Sequence, residues 1–329
     1  MSTRHRLALA TLAGLTGLGL VAGAAAPAGA AEPPVSHPHV LVDFDFAGGQ
    51  TPENIALEPD GAADESLAFA AAIVRITRGG AVQPLVRLPS SPTTECSYPH
   101  AHAVAMGIAR DHRGDLYTVL CTGSADQQGI WRLTPGGALT RVAALPADGF
   151  PNGIAFDEHE RHLYVTDSLL GTVSRVDVSD GTVTTWAQGP ELAPDGGLGA
   201  NGLKVHDGAV WVTDTERGTV LRIPVLRDGS AGPATVIARG LPGIDDIAFT
   251  GPQRSAPLLA TLNPQNEVVL IDPADGTATP VLTAADGLSN PSSLAVRGRT
   301  LYVNSAAYAT RTRPNLLLAH LDHQLMTGD

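Results

Sequence analysis

Lysine is all but missing from this chain. Lys204 is the only one in 329 residues, and Lys and Arg together number 21 against 33 Asp and Glu, a formal net charge of −12. Phosphate-rich partners need clustered cations, so this balance excludes nucleic acid and an anionic membrane surface. It suits cation binding, and equally a surface kept soluble by charge. Also missing, beyond the N-terminal region, is any amphipathic helical stretch of useful length, which excludes a βαβ architecture. No Gly-x-Ser-x-Gly elbow is present, and Gly123-Ser124 lacks that context, so no serine nucleophile is indicated. Cysteine is limited to Cys96 and Cys121.

One long hydrophobic run exists. Arg4 and Arg6 precede an apolar stretch from Leu7 to Ala26, which ends at Ala28-Gly29-Ala30. A positive start, an apolar middle and a small-residue site make residues 1–30 a secretory signal peptide by pattern. The alternative is a single membrane anchor. No cysteine stands directly after the site, which argues against a lipid-anchored product. Loss of Arg4 and Arg6, with no acid among the removed residues, takes the charge from −12 to −14. Glu32-Pro33-Pro34 to Pro38 reads as a disordered leader over 31–38, and residues 39–329 as a single domain. In an exported protein two cysteines suggest a disulfide, here tying the connection before blade two to that blade's second strand. The rival is a metal or nucleophile site of Cys96 with His100 and His102, a weak pattern.

What the chain does have is a repeat. Glu53-Asn54-Ile55-Ala56 returns as Met106-Gly107-Ile108-Ala109, Asn152-Gly153-Ile154-Ala155, Asn201-Gly202-Leu203-Lys204, Asp245-Asp246-Ile247-Ala248 and Ser292-Ser293-Leu294-Ala295. Successive leading positions are 53, 46, 49, 44 and 47 residues apart. Around the phrase run short β-branched and aromatic segments bounded by Gly, Asp or Ser, such as Leu163-Tyr164-Val165-Thr166-Asp167 and Ala209-Val210-Trp211-Val212-Thr213-Asp214. Four such strands per period describe one propeller blade, so six copies predict an all-β, six-bladed β-propeller. The last blade lacks a strand, and His39–Phe46 alternates apolar and polar residues so as to supply it and close the ring.

In a propeller the first strand of each blade lines the central channel. The leading residues Glu53, Met106, Asn152, Asn201, Asp245 and Ser292 are therefore expected at one mouth of it. Two carboxylates and two amide carbonyls there form a hard-oxygen set, suited to Ca²⁺, with Mg²⁺, Mn²⁺ or Zn²⁺ as alternatives. A cation would also explain two acids facing each other in a confined space. The competing reading is turn punctuation at strand entrances, which Asn and Asp favour but Glu does not. Asp167 and Asp214 read as turn-binding structural acids.

The order of Glu53-Asn54-Ile55-Ala56, Phe150–Phe156 with Leu163–Ser168, and Gly199–Gly202 with Val210–Asp214 resembles the SMP-30/gluconolactonase/LRE family. That resemblance implies a six-bladed propeller holding one divalent metal through Glu53, Asn152, Asn201 and Asp245, with Asp246 as the alternative to its neighbour. It also implies lactone hydrolysis, the metal polarising the ring carbonyl and Asp245 taking a proton from the attacking water. His100 and His102 are candidate substrate contacts, as are Met106, Phe150 and Ser292. Sugar lactonases of that family carry an Arg where this chain has Phe150. With Met106 also apolar, the pocket points to a hydrophobic lactone or ester. The expectation is a secreted, extracellular, monomeric hydrolase with a small lactone or ester substrate and no membrane contact after cleavage. The alternatives are a non-catalytic NHL-like binding propeller and a strictosidine-synthase-like one.

Overall fold

The computed structural model describes residues 33–327, so the signal peptide assigned to 1–30 lies outside the described residues. Six four-stranded antiparallel sheets follow one another along the chain. The first strands are Pro52–Leu57, Val104–Arg110, Pro151–Phe156, Ala200–His206, Ile244–Phe249 and Pro291–Arg297. Each of these packs against the first strand of the next blade, and the last packs against the first, so the ring is closed. The expected six-bladed propeller is the observed fold.

Closure is made by Val35–Asp43, which pairs antiparallel with Asn315–Leu321 as the outer strand of blade six. Pairing starts at Val35, opposite Leu321, which corrects the expectation of a disordered leader as far as Pro38. The reason is local: Val35 is buried in the blade-six core, so ordering these residues gains apolar burial as well as ladder hydrogen bonds.

Burial falls from the axis outward. The second strand Leu116–Cys121 is buried throughout, whereas the outer strand Val82–Arg87 is largely exposed. The core is a set of seams between neighbouring blades. Tyr164, Val210 and Leu221 fill the seam of blades three and four, Trp211, Leu258 and Val269 that of four and five, and Tyr302, Leu316, Ile55 and Val74 that of six and one. Each fully buried aliphatic or aromatic side chain contributes about 1.5–3 kcal/mol. Hydroxyls stitch the inner strands across the same seams. Thr213 Oγ1 donates to Asp245 O at 2.6 Å, Thr261 Oγ1 to Ser292 O at 3.3 Å, and Ser292 Oγ to Pro52 O at 2.8 Å. Among the described residues no helix is long and apolar enough to cross a membrane.

One position breaks the apolar pattern. Opposite the first-strand apolar residue, blades three to six carry Val165, Val212, Ala260 and Val303 and blade two carries Thr118, whose hydroxyl donates to Gly107 O at 3.0 Å, but blade one carries the ionisable Glu65. Both Glu65 carboxyl oxygens are buried without a hydrogen-bond partner, and its row-mates Ile55 and Val74 face the seam with blade six. Burial, with the nearby Asp64 adding to it, raises the Glu65 pKa well above the ordinary carboxylate value. The folded state therefore keeps a proton that the unfolded chain releases. That contribution is intact below the unfolded pKa and is lost as pH rises toward the folded one. Glu65→Val is expected to stabilise the fold by about 1–3 kcal/mol, with the larger gain near pH ~8 and the smaller near pH ~5. Urea unfolding at the two pH values checks this; a gain independent of pH would contradict it.

Candidate functional site

In every blade the pairing of first and second strands has a register irregularity at the recurring phrase, for instance between Pro151 and Ile154, Ala200 and Leu203, and Ile244 and Ile247. A bulge there adds twist and re-aims the leading side chain. The glycine after that residue has a steric reason. A Cβ on Gly107, Gly153 or Gly202 would lie 2.4–2.6 Å from the carbonyl oxygen of Asn152, Asn201 or Asp245 in the next blade. The first strands thus approach to backbone contact, which brings their leading residues together.

Glu53, Met106, Asn152, Asn201 and Asp245 all line one cavity of about 460 Å³. Ser292 is not among its lining residues. It is 1% exposed and its hydroxyl is committed to the Pro52 carbonyl, a ring-closing contact that corrects its assignment as a substrate contact. His100 and His102 are corrected as well. Both are exposed and turned away from the cavity, His100 Nδ1 toward Glu95 at 2.9 Å and His102 Nδ1 toward Thr94 O at 2.8 Å. Tyr98 and Pro99 of the same loop line the cavity instead. Cys96 and Cys121 form the expected disulfide, with Cα atoms 5.4 Å apart, and it anchors this loop to blade two. Phe150 lines the cavity as expected.

The two asparagines are held by matching relays. Asn152 Nδ2 donates to Ser168 Oγ at 3.2 Å, and Ser168 donates to Ala200 O at 2.7 Å. Asn201 Nδ2 donates to Thr215 Oγ1 at 2.8 Å, and Thr215 donates to Ile244 O at 2.9 Å. Tying down each amide nitrogen frees the amide oxygen, and Asn201 Oδ1 is buried with no hydrogen-bond partner. In blade five the corresponding Asn263 donates to Asp245 Oδ2 at 3.3 Å. Tyr308, from the loop before the third strand of blade six, donates to Glu53 Oε2. Ser168, Thr215 and Asn263 were not singled out from the sequence. Their signal was a polar residue at one repeat position, directly after the second strand. Asp167 and Asp214 are the turn binders expected: Asp167 Oδ1 accepts from the Phe150, Leu169 and Leu170 amides, and Asp214 Oδ1 from that of Arg217.

The electrostatics distinguish the three acids. Burial raises the Glu53 pKa to about 7, the Tyr308 hydrogen bond opposing it and Asp246 adding to it. Burial also holds Asp245 well above the ordinary value, reinforced by Glu53 and Asp246 and opposed by hydrogen bonds from Asn263 and Asn201. Asp246 is pushed up by burial too, but the Lys204 ammonium, 2.7 Å from each of its oxygens, offsets part of that. The sole lysine thus engages Asp246, which does not line the cavity; Arg311 lines it, but among the described residues neither Glu53 nor Asp245 forms an ion pair. Among the described residues no three His, Cys, Asp or Glu side chains group as a metal site; the acids here are joined by amides instead.

A six-bladed propeller with buried acids and amides converging on an axial cavity defines the class. Residues 108–256 match the family model described as SMP-30/Gluconolactonase/LRE-like region, so the resemblance read from the motifs holds over that stretch, which includes Asn152, Asn201 and Asp245. No curated protein matches the chain. A gluconolactonase from Xanthomonas campestris superposes with a TM-score of 0.64 at 16% identity, over 87% of this chain and 90% of that one. A catalytically inactive virginiamycin B lyase from Staphylococcus aureus, solved with quinupristin, gives 0.58 at 16%, over 87% and 100%. An auxiliary nutrient binding protein from Bacteroides ovatus gives 0.66 at 10%, over 89% and 78%. At these identities the likeness is one of fold.

Lys204→Met would leave Asp246 buried without its partner. A loss of about 3 kcal/mol is expected, largely recovered by adding Asp246→Asn, because an uncompensated buried charge costs more than a neutral pair. Urea unfolding of the two single variants and the double variant checks this.

Proposed function

We propose that the chain is a divalent-cation-dependent hydrolase of lactones or esters, with its chemistry at the axial cavity. One observation carries the reading: Glu53 and Asp245 converge with the amides of Asn152 and Asn201, both acids pushed toward their neutral forms and Asn201 Oδ1 left unpaired. Carboxylate and amide oxygens are the donors that hard cations take, Ca²⁺ foremost. Glu53, Asn152, Asn201 and Asp245 would hold the ion. When bound, it would supply Lewis-acid polarisation of the substrate carbonyl and charge compensation for the oxyanion.

The protein's own groups do the rest. Asp245, ionised once its repulsion with Glu53 is compensated, accepts the proton of the attacking water. Asn263 fixes one of its oxygens and Tyr308 fixes one oxygen of Glu53, so neither carboxylate swings during the reaction. The cavity walls are largely apolar, with Val104, Met106, Phe150, Leu198 and Pro264 around the polar floor. Such walls exclude water from the carbonyl and favour an ester or lactone with apolar substituents over a polyhydroxylated one. The family match over residues 108–256 supports the reaction class.

A second reading, a ligand-binding propeller without catalysis, is favoured by the same raised pKa values. With the Glu53 pKa raised to about 7 and that of Asp245 well above its ordinary value, burial favours the neutral acids over an ionised base. We further read the protein as secreted and monomeric, on the signal-like N-terminal pattern and the Cys96–Cys121 disulfide for the first and propeller size for the second.

Metal analysis of protein purified without chelator separates the two readings, with one divalent ion per chain expected. Glu53→Gln should lose that ion and the Ca²⁺-induced rise in melting temperature. Asp245→Asn, with the fold intact by circular dichroism, should lower lactone turnover by a factor of about 10²–10⁴. Metal-free wild-type protein whose melting is indifferent to Ca²⁺ would sink the hydrolase reading. Thr215→Val releases the Asn201 amide, and a 10–100-fold loss of cation affinity by calorimetric titration is expected from this second layer of contacts, a magnitude of order that seen at other sites.

A further inference from the structure

The chain has few aromatics, three Trp, five Tyr and six Phe, yet Phe46, Phe69, Tyr98, Phe150 and Tyr308 all line the one axial cavity. They are ordered in contacting pairs. Phe69 and Tyr308 lie 5.4 Å apart between ring centres at 58°, and Tyr98 and Phe150 lie 5.4 Å apart at 67°. Phe150 and Tyr308 belong to one apolar cluster, so the pairs make a continuous wall contributed by blades six, one, two and three. The opposite side, from blades four and five, has no aromatic ring and is made by Leu198, Thr215, Gly243, Asn263 and Pro264.

Two features mark this wall as a recognition surface rather than as core. Phe69 is 38% exposed and Tyr98 45% exposed, large apolar side chains left open to solvent at a cavity whose floor is polar. Tyr98 also sits in the loop that the Cys96–Cys121 disulfide anchors, with the Cys96 amide donating to Ala101 O at 2.8 Å. An exposed ring fixed in this way is preorganised to meet a ligand.

We propose that the substrate carries a flat aromatic group that stacks on the wall formed by Phe69, Tyr98, Phe150 and Tyr308, with its ester or lactone carbonyl at the floor of Glu53, Asn152, Asn201 and Asp245. The substrate class is therefore an aryl lactone or aryl ester; this rests on the hydrolase reading for the reaction but not for the binding. Sugar hydroxyls would find few partners on the ring faces of this wall, whereas a flat ring gains offset or edge contacts with the two pairs.

The test uses lactams, which keep the ring and carbonyl but resist hydrolysis. Dihydroquinolinone carries a fused aromatic ring, and valerolactam is the same lactam without it. Calorimetric titration of the Ca²⁺-supplemented full chain is expected to give dihydroquinolinone an affinity about tenfold the higher of the two, the scale of one good aromatic contact. Phe69→Ala and Tyr98→Ala, both at exposed positions and with the fold checked by circular dichroism, should each shrink that ratio toward unity, weakening dihydroquinolinone more than valerolactam. Equal affinities, no binding of either lactam, or a ratio untouched by both substitutions overturns the proposal. Turnover of dihydrocoumarin is read separately: lactam binding without turnover keeps the aromatic site and removes the hydrolase reading.

Discussion

Everything at the site depends on how closely the six inner strands approach one another around the axis. Gly107, Gly153 and Gly202 let the carbonyls of Asn152, Asn201 and Asp245 come within the space a Cβ would occupy. Threonine hydroxyls on the second strands then bond two of those carbonyls, Thr166 to Asn201 O and Thr213 to Asp245 O. Because each leading residue is held against its neighbour's backbone as well as its own, the ring is fixed at the cavity. The bulge in each first strand completes the arrangement by turning the leading side chain toward the cavity.

That rigidity has an electrostatic consequence. Two acids are held together in a buried place and cannot move apart, so the protein answers with short-range partners: Tyr308 for Glu53, Asn263 for Asp245, and the only lysine for Asp246. These contacts orient the carboxyls without supplying a counter-charge to the two that line the cavity. The arrangement keeps the two acids buried side by side, and burial answers with raised pKa values for both. Glu65 is a different case. It is buried at a blade seam away from this cavity, at a register position where blades three to six carry Val or Ala and blade two Thr118, and neither of its carboxyl oxygens has a hydrogen-bond partner.

Much of this was legible along the chain. The repeated phrase gave the blade count, the strand pattern gave four strands per blade, and His39–Phe46 gave the closing strand, though pairing begins earlier, at Val35. Glu53, Asn152, Asn201 and Asp245 were legible as one group because equivalent positions of a cyclic repeat must converge. Ser292 obeyed the same rule of position but not of role, since a short hydroxyl next to a carbonyl bonds it before it can reach the cavity. His100 and His102 failed for another reason: which way a loop residue faces is set by its packing, and here the disulfide-anchored loop turns Tyr98 and Pro99 inward.

The sequence by itself determined the architecture and the convergence of the ring, because periodic burial and turn chemistry are local properties that every copy repeats. It also separated Asp167 and Asp214, as turn binders, from the acids of the ring. Only the tertiary structure decided which of Asp245 and Asp246 faces the cavity, since that depends on Lys204 reaching across to Asp246. Only it assembled the aromatic wall, whose members stand in loops and strand entrances with no shared period, at positions 46, 69, 98, 150 and 308. Side chains that meet through loop packing leave no spacing in the chain, and contact in space is what defines them.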